Sequence, residues 1–348
     1  MSITLYANPF VFFLLKSNKI IAWDYKNHQQ FEIEEDYLQR LKYFTPNATI
    51  AEISPIDCEL LSGNLLSENP YEEIKWGWDE LSLIYHIGTQ NIDGGGTLDR
   101  KGWLENYLLL SEESTNEAKT PKFIGVNARY KLPDPQLEKI SHANYLKTIT
   151  SRKTTRVFDS KKMSLLDVST LLFLSFGKVH GEWKELISLG FKDINYRRTS
   201  PSGGALHPVE AFVFIYEVED ISSGIYFYDS GDHSLTYISE IPEYCELSDA
   251  LCSQYFTEGI SIGIFLTGFF DRVWGKYLHS RSYKDIYLDA GHVSQTCLLT
   301  ATALNLRTWI TAWFKDEKIA TFLNISGIDV APLSFIGIGS GPDKILPS

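Results

Sequence analysis

The sequence predicts an α+β protein with an antiparallel or mixed sheet flanked by helices. The runs EAFVFIYEV (210–218) and ISIGIFLTG (260–268) are apolar and β-branched, as buried strands are. The runs GIYFYD and SLTYIS flank the turn residues Ser230-Gly231-Asp232 and therefore predict a hairpin. Strands, a hairpin and helices in this order favour such a sheet over a doubly wound parallel one.

Helices are predicted around these strands. Ser164 and Asp167 form a candidate capping box for the helix SLLDVSTLLFLSF. Segment 289–306 predicts a long helix with small and apolar residues on one stripe, which suits close packing. The stripe consists of Ala290, Val293, Cys297, Ala301 and Leu304. The runs TWITAWF and SFIGIG then predict two strands that close the sheet.

Residues 1–91 predict a small separate domain. PFVFFLLKSNKIIAWDY predicts two strands joined at Ser17-Asn18. QQFEIEEDYLQRLKYF predicts a strand and then an amphipathic helix that presents Tyr37, Leu38, Leu41 and Phe44 on one face. Residues 47–68 are expected to form further short helices. Strands followed by helices predict a winged-helix-like α/β module.

A connector is predicted over residues 92–135. It contains DGGG, the polar run SEESTNEAKT and LPDP, all of which are turn or linker signals. The remaining residues, 136–348, are expected to form the larger domain.

Composition excludes several classes of function. Hydrophobic residues make up 44% of the 348 residues, so most of the chain can bury a core and is not disordered. The net charge of −12 argues against a general nucleic-acid binder. The apolar runs are shorter than a membrane span. The cysteines, at positions 58, 245, 252 and 297, lack metal-site spacing and fit thiols in a reducing compartment. We therefore expect a cytoplasmic protein without a metal site, a membrane partner or a nucleic-acid partner.

The densest group of unusual residues is RRTSPSGGALHP (197–208). Its glycines let the backbone approach a flat ligand and leave N–H groups free to donate. A structural loop before the next strand is the alternative interpretation. The segment matches neither a phosphate-binding Walker loop nor a dinucleotide fingerprint.

A basic segment, SRKTTRVF, covers residues 151–158. Arginine forks and hydroxyl groups in an acidic protein fit a single phosphate ester better than a long nucleic acid. A solvated basic surface is the alternative.

The third group combines Lys276-Tyr277 with Asp289-Ala290-Gly291-His292. A lysine beside a tyrosine can lower the pKa of the phenol, which then serves as an acid or base. Taken alone, the dipeptide is weak evidence, and His292 is equally consistent with an ordinary helix histidine.

Taken in chain order, these groups resemble the SagB-type branch of the flavin nitroreductase superfamily. The matching motifs are RKTTRVF, PSGGALHPVE, GIYFY with HSL, and KY with DAGHVSQ, and the resemblance covers residues 151–341. The branch includes azoline oxidases, which convert thiazoline and oxazoline rings in peptides to thiazoles and oxazoles. The resemblance implies a nitroreductase-like fold that dimerises through its long helices.

The resemblance also implies roles for individual residues. FMN is expected to be held at its phosphate and ribityl end by Arg152, Lys153, Thr154 and Arg156. The isoalloxazine ring is expected to lie against a loop usually supplied by the partner subunit, here Pro201, Ser202, Gly203 and Gly204, followed by Leu206. Further flavin contacts are implied for Gln295, Gly337 and Gly339. Tyr277 would be the catalytic base and Lys276 would tune it.

The function implied by this resemblance is FMN-dependent oxidation of an azoline ring in a peptidyl intermediate, with oxygen as acceptor. The substrate is either a ribosomal precursor peptide or a chain bound to a carrier protein. A cyclodehydratase or a nonribosomal synthetase is a possible partner in a complex. The alternatives are an NAD(P)H-dependent nitro- or ene-reductase and a non-catalytic scaffold. The amino-terminal domain would bind a peptide as an added strand or serve only for docking.

Overall fold

The computed structural model describes residues 2–92, 128–180 and 197–344, with a few single positions between these ranges. The chain divides into two compact units, residues 1–97 and 98–348. Among the helices within the described ranges, none is both long and apolar enough for a membrane crossing.

The first unit contains two three-stranded antiparallel sheets, in the orders β5-β1-β6 and β2-β3-β4. Its elements are β1 (Ile3–Ala7), β2 (Val11–Lys16), β3 (Lys19–Asp24), β4 (Gln29–Ile33), α1 (Glu35–Tyr43), β5 (Asn47–Ile50), α2 (Pro55–Ser62), β6 (Leu66–Ser67) and α3 (Glu80–Gly88). The predicted hairpin at Ser17-Asn18 is confirmed, and both residues have positive φ, as a tight hairpin turn of this kind requires. The winged-helix-like description stays a prediction.

The expectation of only helices between residues 47 and 68 is wrong. Strands β5 and β6 both pair with β1, a strand that the sequence analysis did not predict. In β5, Ala48 and Ile50 face the core, and the hydroxyls of Thr49 and Thr4 share a hydrogen bond of 3.0 Å. Alternation over four residues is too short to distinguish a strand from a helix without knowledge of its partner.

The core of the first unit includes an ion pair. Leu41 and Phe44 of the predicted apolar face are buried, with Tyr37 and Leu38 beside them, as predicted. Asp57 is fully buried and accepts hydrogen bonds from Arg40 at 2.6 and 2.7 Å. The Arg40 guanidinium, aided by the backbone N–H of Ser54, holds the pKa of Asp57 at about 2.

We expect Asp57→Asn to destabilise the protein by about 2 kcal/mol at pH 7, because the lowered pKa stabilises the folded state. This contribution is complete above the ordinary pKa of aspartate and is lost as the pH falls toward the folded pKa. Urea unfolding of the full chain should therefore show a constant difference between the two proteins from pH 7 to about 5, which narrows below about pH 4. A difference that stays constant down to pH 3 would contradict an ionic origin.

The second unit is built on one seven-stranded antiparallel sheet, in the order β12-β13-β11-β8-β9-β10-β7. The strands are β7 (Arg129–Lys131), β8 (Val209–Ile215), β9 (Gly224–Asp229), β10 (Ser234–Ser239), β11 (Ile262–Phe269), β12 (Arg307–Thr311) and β13 (Val330–Gly339). The helices are α4 (Leu137–Ser141), α5 (Tyr145–Ser151), α6 (Leu165–Phe176), α7 (Tyr244–Ala250), α8 (Asp271–Trp274), α9 (Tyr283–Ala303) and α10 (Asp316–Leu323). The predicted α+β class and antiparallel sheet are confirmed.

The end of the predicted connector belongs to this sheet. Residues 129–131 form the edge strand β7, and Arg129 bridges Asp229 and Asp232 of the neighbouring hairpin. An exposed edge strand of this polarity carries no apolar pattern by which sequence could identify it. Most of the connector, including DGGG and SEESTNEAKT, lies outside the described residues.

Helix α9 confirms the predicted stripe, whose five residues are all buried in the core. The helix begins six residues before the predicted start because Ile286 continues the apolar face. At α6, Ser164 caps the helix by accepting the N–H of Leu166, but Asp167 pairs with Lys139 and does not close a capping box.

Candidate functional site

The PSGG loop and the Lys276-Tyr277 pair lie against each other at one end of the sheet. Gly204 has a φ of +58°, in the left-handed region that glycine adopts without strain. A Cβ atom added to Gly204 would lie 2.5 Å from the Tyr277 hydroxyl and 3.2 Å from Lys276 Nζ. The sequence placed these motifs about 70 residues apart, and the fold brings their atoms into direct contact.

Alanine substitutions at the two loop glycines, Gly203 and Gly204, should reduce turnover to different extents. Gly204→Ala forces a left-handed alanine, which costs about 1–2 kcal/mol, and pushes a methyl group into the Tyr277 hydroxyl. Gly203→Ala is the matched control, because its added Cβ would come no closer than 3.9 Å to Asp285. We expect turnover to fall further in Gly204→Ala than in Gly203→Ala, because only the methyl group added at Gly204 meets Tyr277 and Lys276. Equal behaviour of both variants would show that the contact has no functional weight.

The loop is fixed by a network on its inner side. Ser202 Oγ donates to Asp289 of α9 at 2.5 Å and accepts the N–H of His207 at 2.9 Å. Burial raises the pKa of Asp289, although the hydrogen bonds from Ser202 and the Gly203 backbone oppose that rise. Ala205 and His207 also have positive φ, and this strain persists only because the surroundings hold it.

A buried ionic triad joins both ends of the loop to the segment before Lys276. Glu210 accepts from Arg198 at 2.7 Å and from Arg272 at 2.6 Å, and Arg272 also donates to the carbonyl of His207 at 2.9 Å. Burial alone would raise the pKa of Glu210, but the two guanidiniums hold it below its usual range. The triad therefore positions the loop relative to the helix that precedes Lys276.

Sequence reasoning placed Arg198 and Asp289 within candidate motifs but assigned them no role, and it missed Arg272. The sequence did indicate that arginines such as Arg198 and Arg272 are needed, because Glu210 lies in an apolar strand and a buried carboxylate requires a cationic partner. The sequence could not show which arginines meet it, because Arg272 lies 62 residues away.

Lys276 is itself buried, with only 4% of its surface exposed, and this burial lowers its pKa. Its ammonium group lies 5.9 Å from the ring centre of Tyr277. A neutral amine is thus more accessible here than for a surface lysine.

A mainly apolar cavity of about 480 Å³ opens beside Tyr277. Its lining residues include Phe270, Trp274, Leu278, His279 and Tyr283. A volume of this size suits a small ring with its immediate substituents.

The basic segment lies against the edge strand β12. Thr154 forms a parallel bridge with Thr308, whose carbonyl accepts the N–H of Thr155 at 2.9 Å. The guanidinium of Arg156 lies 5.1 Å from the ring centre of Phe256.

The side chains of this segment fit a phosphate group. Within the described ranges, Arg152 and Arg156 form no ion pair with a carboxylate, and the buried hydroxyl of Thr155 has no hydrogen-bond partner. Two partly exposed arginines without acidic partners are a donor set that an anion can satisfy. Lys153 differs, because it binds Asp343 at 2.7 Å on the surface.

The strand register places the basic segment and the PSGG loop at opposite ends of the sheet. Thr308 of β12 pairs with Ile338 of β13, which pairs with Ile262 of β11, which in turn pairs with Ile215, the last residue of β8. The PSGG loop, in contrast, leads into the first residue of β8, Val209. Six residues of strand span about 20 Å, and β8 and β12 are three strand spacings apart, about 14 Å. In a single chain, the two groups are therefore more than about 20 Å apart.

The remaining predicted flavin residues lie in other surroundings. An added Cβ at Gly337 would lie 2.2 Å from the Trp309 indole nitrogen, and one at Gly339 would lie 3.0 Å from the Ser261 backbone. Close packing within the sheet thus explains both glycines. Gln295 is exposed on α9, Pro201 is exposed in the loop, and Leu206 packs against the main core.

Comparison with protein families identifies the fold. The family model described as the nitroreductase family matches residues 149–340, which is more than half of the chain. The chain belongs to the nitroreductase family. The matched range of this nitroreductase-family chain contains the basic segment, the PSGG loop and the Lys276-Tyr277 pair.

Similar proteins support the same assignment. A Methanocaldococcus jannaschii protein named as a nitroreductase, MJ1384, is 28% identical over 55% of this chain and 89% of its own length. Two Rhizobium leguminosarum proteins follow. The trifolitoxin operon protein TfxC is 24% identical, and the match covers 76% of this chain and 72% of TfxC. The trifolitoxin-processing protein TfxB is 25% identical, and the match covers 66% of this chain and 61% of TfxB.

One solved structure shares the fold at low sequence identity. A nitroreductase structure from Anabaena variabilis has a TM-score of 0.51 and 16% identity, and the match covers 98% of this chain and 80% of that one.

Proposed function

We propose that this protein is an FMN-dependent oxidase that converts an azoline ring in a peptidyl intermediate to the corresponding azole. The observation that carries the proposal is the contact of Gly204 with Lys276 and Tyr277, since it sets a proton acceptor beside the loop expected to face the flavin ring. The likeness to TfxC and TfxB, two trifolitoxin proteins, supports a peptide-linked substrate.

The chemistry divides between the cofactor and the chain. When bound, FMN supplies a two-electron acceptor for the hydride that leaves the azoline ring, and oxygen restores it. Tyr277 takes the neighbouring ring proton, so the ring loses two hydrogens in all. Burial lowers the pKa of Lys276, so its neutral amine can first accept the proton of the Tyr277 hydroxyl, which leaves the phenolate that takes the ring proton. The mainly apolar cavity beside Tyr277 would receive the ring.

We further propose that each site is shared between two chains. Arg152 and Arg156 of one protomer would hold the phosphate, while the PSGG loop and Tyr277 of its partner would face the ring. The distance across one chain supports this arrangement, because only a short ribityl chain separates the flavin ring from its phosphate. A homodimer built on α9 is compatible with the exposure of Tyr283, Tyr287 and Leu288 on that helix.

The setting we propose is the cytoplasm, in association with the enzyme that forms the azoline ring. That enzyme is either a cyclodehydratase acting on a ribosomal precursor or a nonribosomal synthetase. All four cysteines are free thiols, which suits a reducing compartment.

A direct test uses the purified protein with FMN, a short peptide containing one thiazoline, and air. Mass spectrometry should show the loss of two hydrogens from the peptide, and the reaction should stop when oxygen is removed. A parallel reaction supplies a nitroaromatic compound and NADPH. Reduction of the nitro compound with no change in the azoline would replace the proposal with the reductase alternative, and inactivity toward both in a flavin-free protein would favour a scaffold.

A further inference from the structure

The first unit carries most of the negative charge of the protein. Residues 1–97 contain six lysines and arginines and fourteen aspartates and glutamates, a net charge of −8 out of −12 for the whole chain. A surface with this charge attracts cationic partners.

A cavity of about 480 Å³ within this unit combines aromatic walls with a carboxylate rim. Phe10, Tyr25 and Tyr71 form the wall, and Phe10 meets the other two rings edge to face at 5.9 and 6.3 Å. Glu72, Glu73 and Glu80 are exposed at the rim, and no lysine, arginine or histidine lines the cavity among the residues described. Aromatic faces and carboxylates together are the groups that bind an ammonium or guanidinium ion.

Tyr25 supplies a hydroxyl group to the wall of this cavity. Only 5% of its surface is exposed, and it lines the cavity. Burial and then the nearby carboxylates of Glu80 and Asp24 raise its pKa, so it remains a neutral phenol. Because the side chain lines the cavity, its hydroxyl oxygen can accept a hydrogen bond from a bound group.

The same group of rings already attracts a cation. The ammonium of Lys26 lies 4.3 Å from the ring centre of Phe10, although Lys26 itself lines a neighbouring cavity.

We propose that this cavity binds the side chain of a lysine or arginine in the peptide that the protein acts on. The cation would face the aromatic wall, donate to the Tyr25 hydroxyl and be neutralised by the rim glutamates. The assignment of the peptide as substrate rests on the proposed function, whereas the cation site rests only on the first unit.

The test measures binding of two fluorescein-labelled probes to the full chain by anisotropy. One probe is acetyl-Ala-Ala-Lys-Ala-Ala-amide carrying the label, and in the other norleucine replaces lysine. We expect the lysine peptide alone to bind, and to bind less as salt rises. Glu72→Gln/Glu80→Gln should weaken its binding roughly tenfold, and Tyr25→Phe should weaken it severalfold.

The matched control is Glu34→Gln/Glu52→Gln, which removes the same charge from exposed positions outside the cavity. It should bind the lysine peptide almost as well as the unaltered protein. If both double variants lost the same affinity for the lysine peptide, the effect would be one of net charge, and the proposed site would be wrong. Equal binding of the lysine and norleucine peptides would also contradict the site. Selective lysine binding in a protein without azoline oxidase activity would support the site while refuting the proposed function.

Discussion

Tyr277→Phe should keep its flavin and lose roughly 10²- to 10⁴-fold in the rate of azoline oxidation, the usual contribution of a positioned acid or base. The phenyl ring fills the same space and preserves the cavity wall, while the hydroxyl that contacts Gly204 is lost. Only the atom that accepts the ring proton is removed. The measurement is the single-turnover rate of flavin reduction by a thiazoline peptide, together with the visible flavin spectrum.

Two variants make this result specific. Tyr283→Phe alters another tyrosine that lines the same cavity and whose hydroxyl shares a hydrogen bond with the Tyr287 hydroxyl, and it should keep most of the activity. Lys276→Met should retain flavin but shift the pH dependence of the rate, because the group with the lowered pKa is gone. An unchanged rate in Tyr277→Phe would remove this residue from the mechanism.

Replacing Arg152 and Arg156 together with alanine should give a colourless protein. Charge-assisted hydrogen bonds to a phosphate contribute about 1.5–3 kcal/mol each, so losing two weakens FMN binding by at least about 100-fold. The measurement is flavin content after purification, followed by titration with added FMN. The fold should persist, because both arginine side chains are partly exposed and neither belongs to a buried core cluster.

The variant Lys153→Ala tests whether Lys153 binds flavin, as the sequence motif implies, or only pairs with Asp343, as the structure indicates. The motif groups Lys153 with the arginines, but the structure pairs its ammonium with Asp343. We therefore expect Lys153→Ala to retain most of its flavin. A yellow double-arginine variant, or a colourless Lys153→Ala, would contradict the assignment of the phosphate site.

The sequence was most informative where a pattern is long or a turn is chemically specific. Strand β11, the stripe on α9 and the hairpin at Ser17-Asn18 were predictable because apolar runs and small-residue turns restrict the backbone locally. Strands β1, β5 and β7 were not, because short or polar strands are stabilised by their partners more than by their own residues.

In the candidate site, too, the sequence predicted some features and could not predict others. Its motifs were recognisable, but the contact between Gly204 and Tyr277 depends on how β8 and β11 pair. The supporting groups, Asp289 and the Arg198–Glu210–Arg272 triad, come from four separate segments, and no spacing links them. The placement of the basic segment and the PSGG loop at opposite ends of the sheet follows from strand register, which sequence alone does not provide.

The most direct test of the whole account is complementation between two inactive proteins. A chain with Arg152→Ala and Arg156→Ala and a chain with Tyr277→Phe are coexpressed with different tags, and the mixed dimers are isolated by successive purification on both tags. In a shared site, each mixed dimer regains one intact site, with the arginines from one chain and the tyrosine from the other. Azoline oxidation at about half the wild-type rate per dimer is the expected result. Mixed dimers as inactive as both parents would contradict a site shared between two chains.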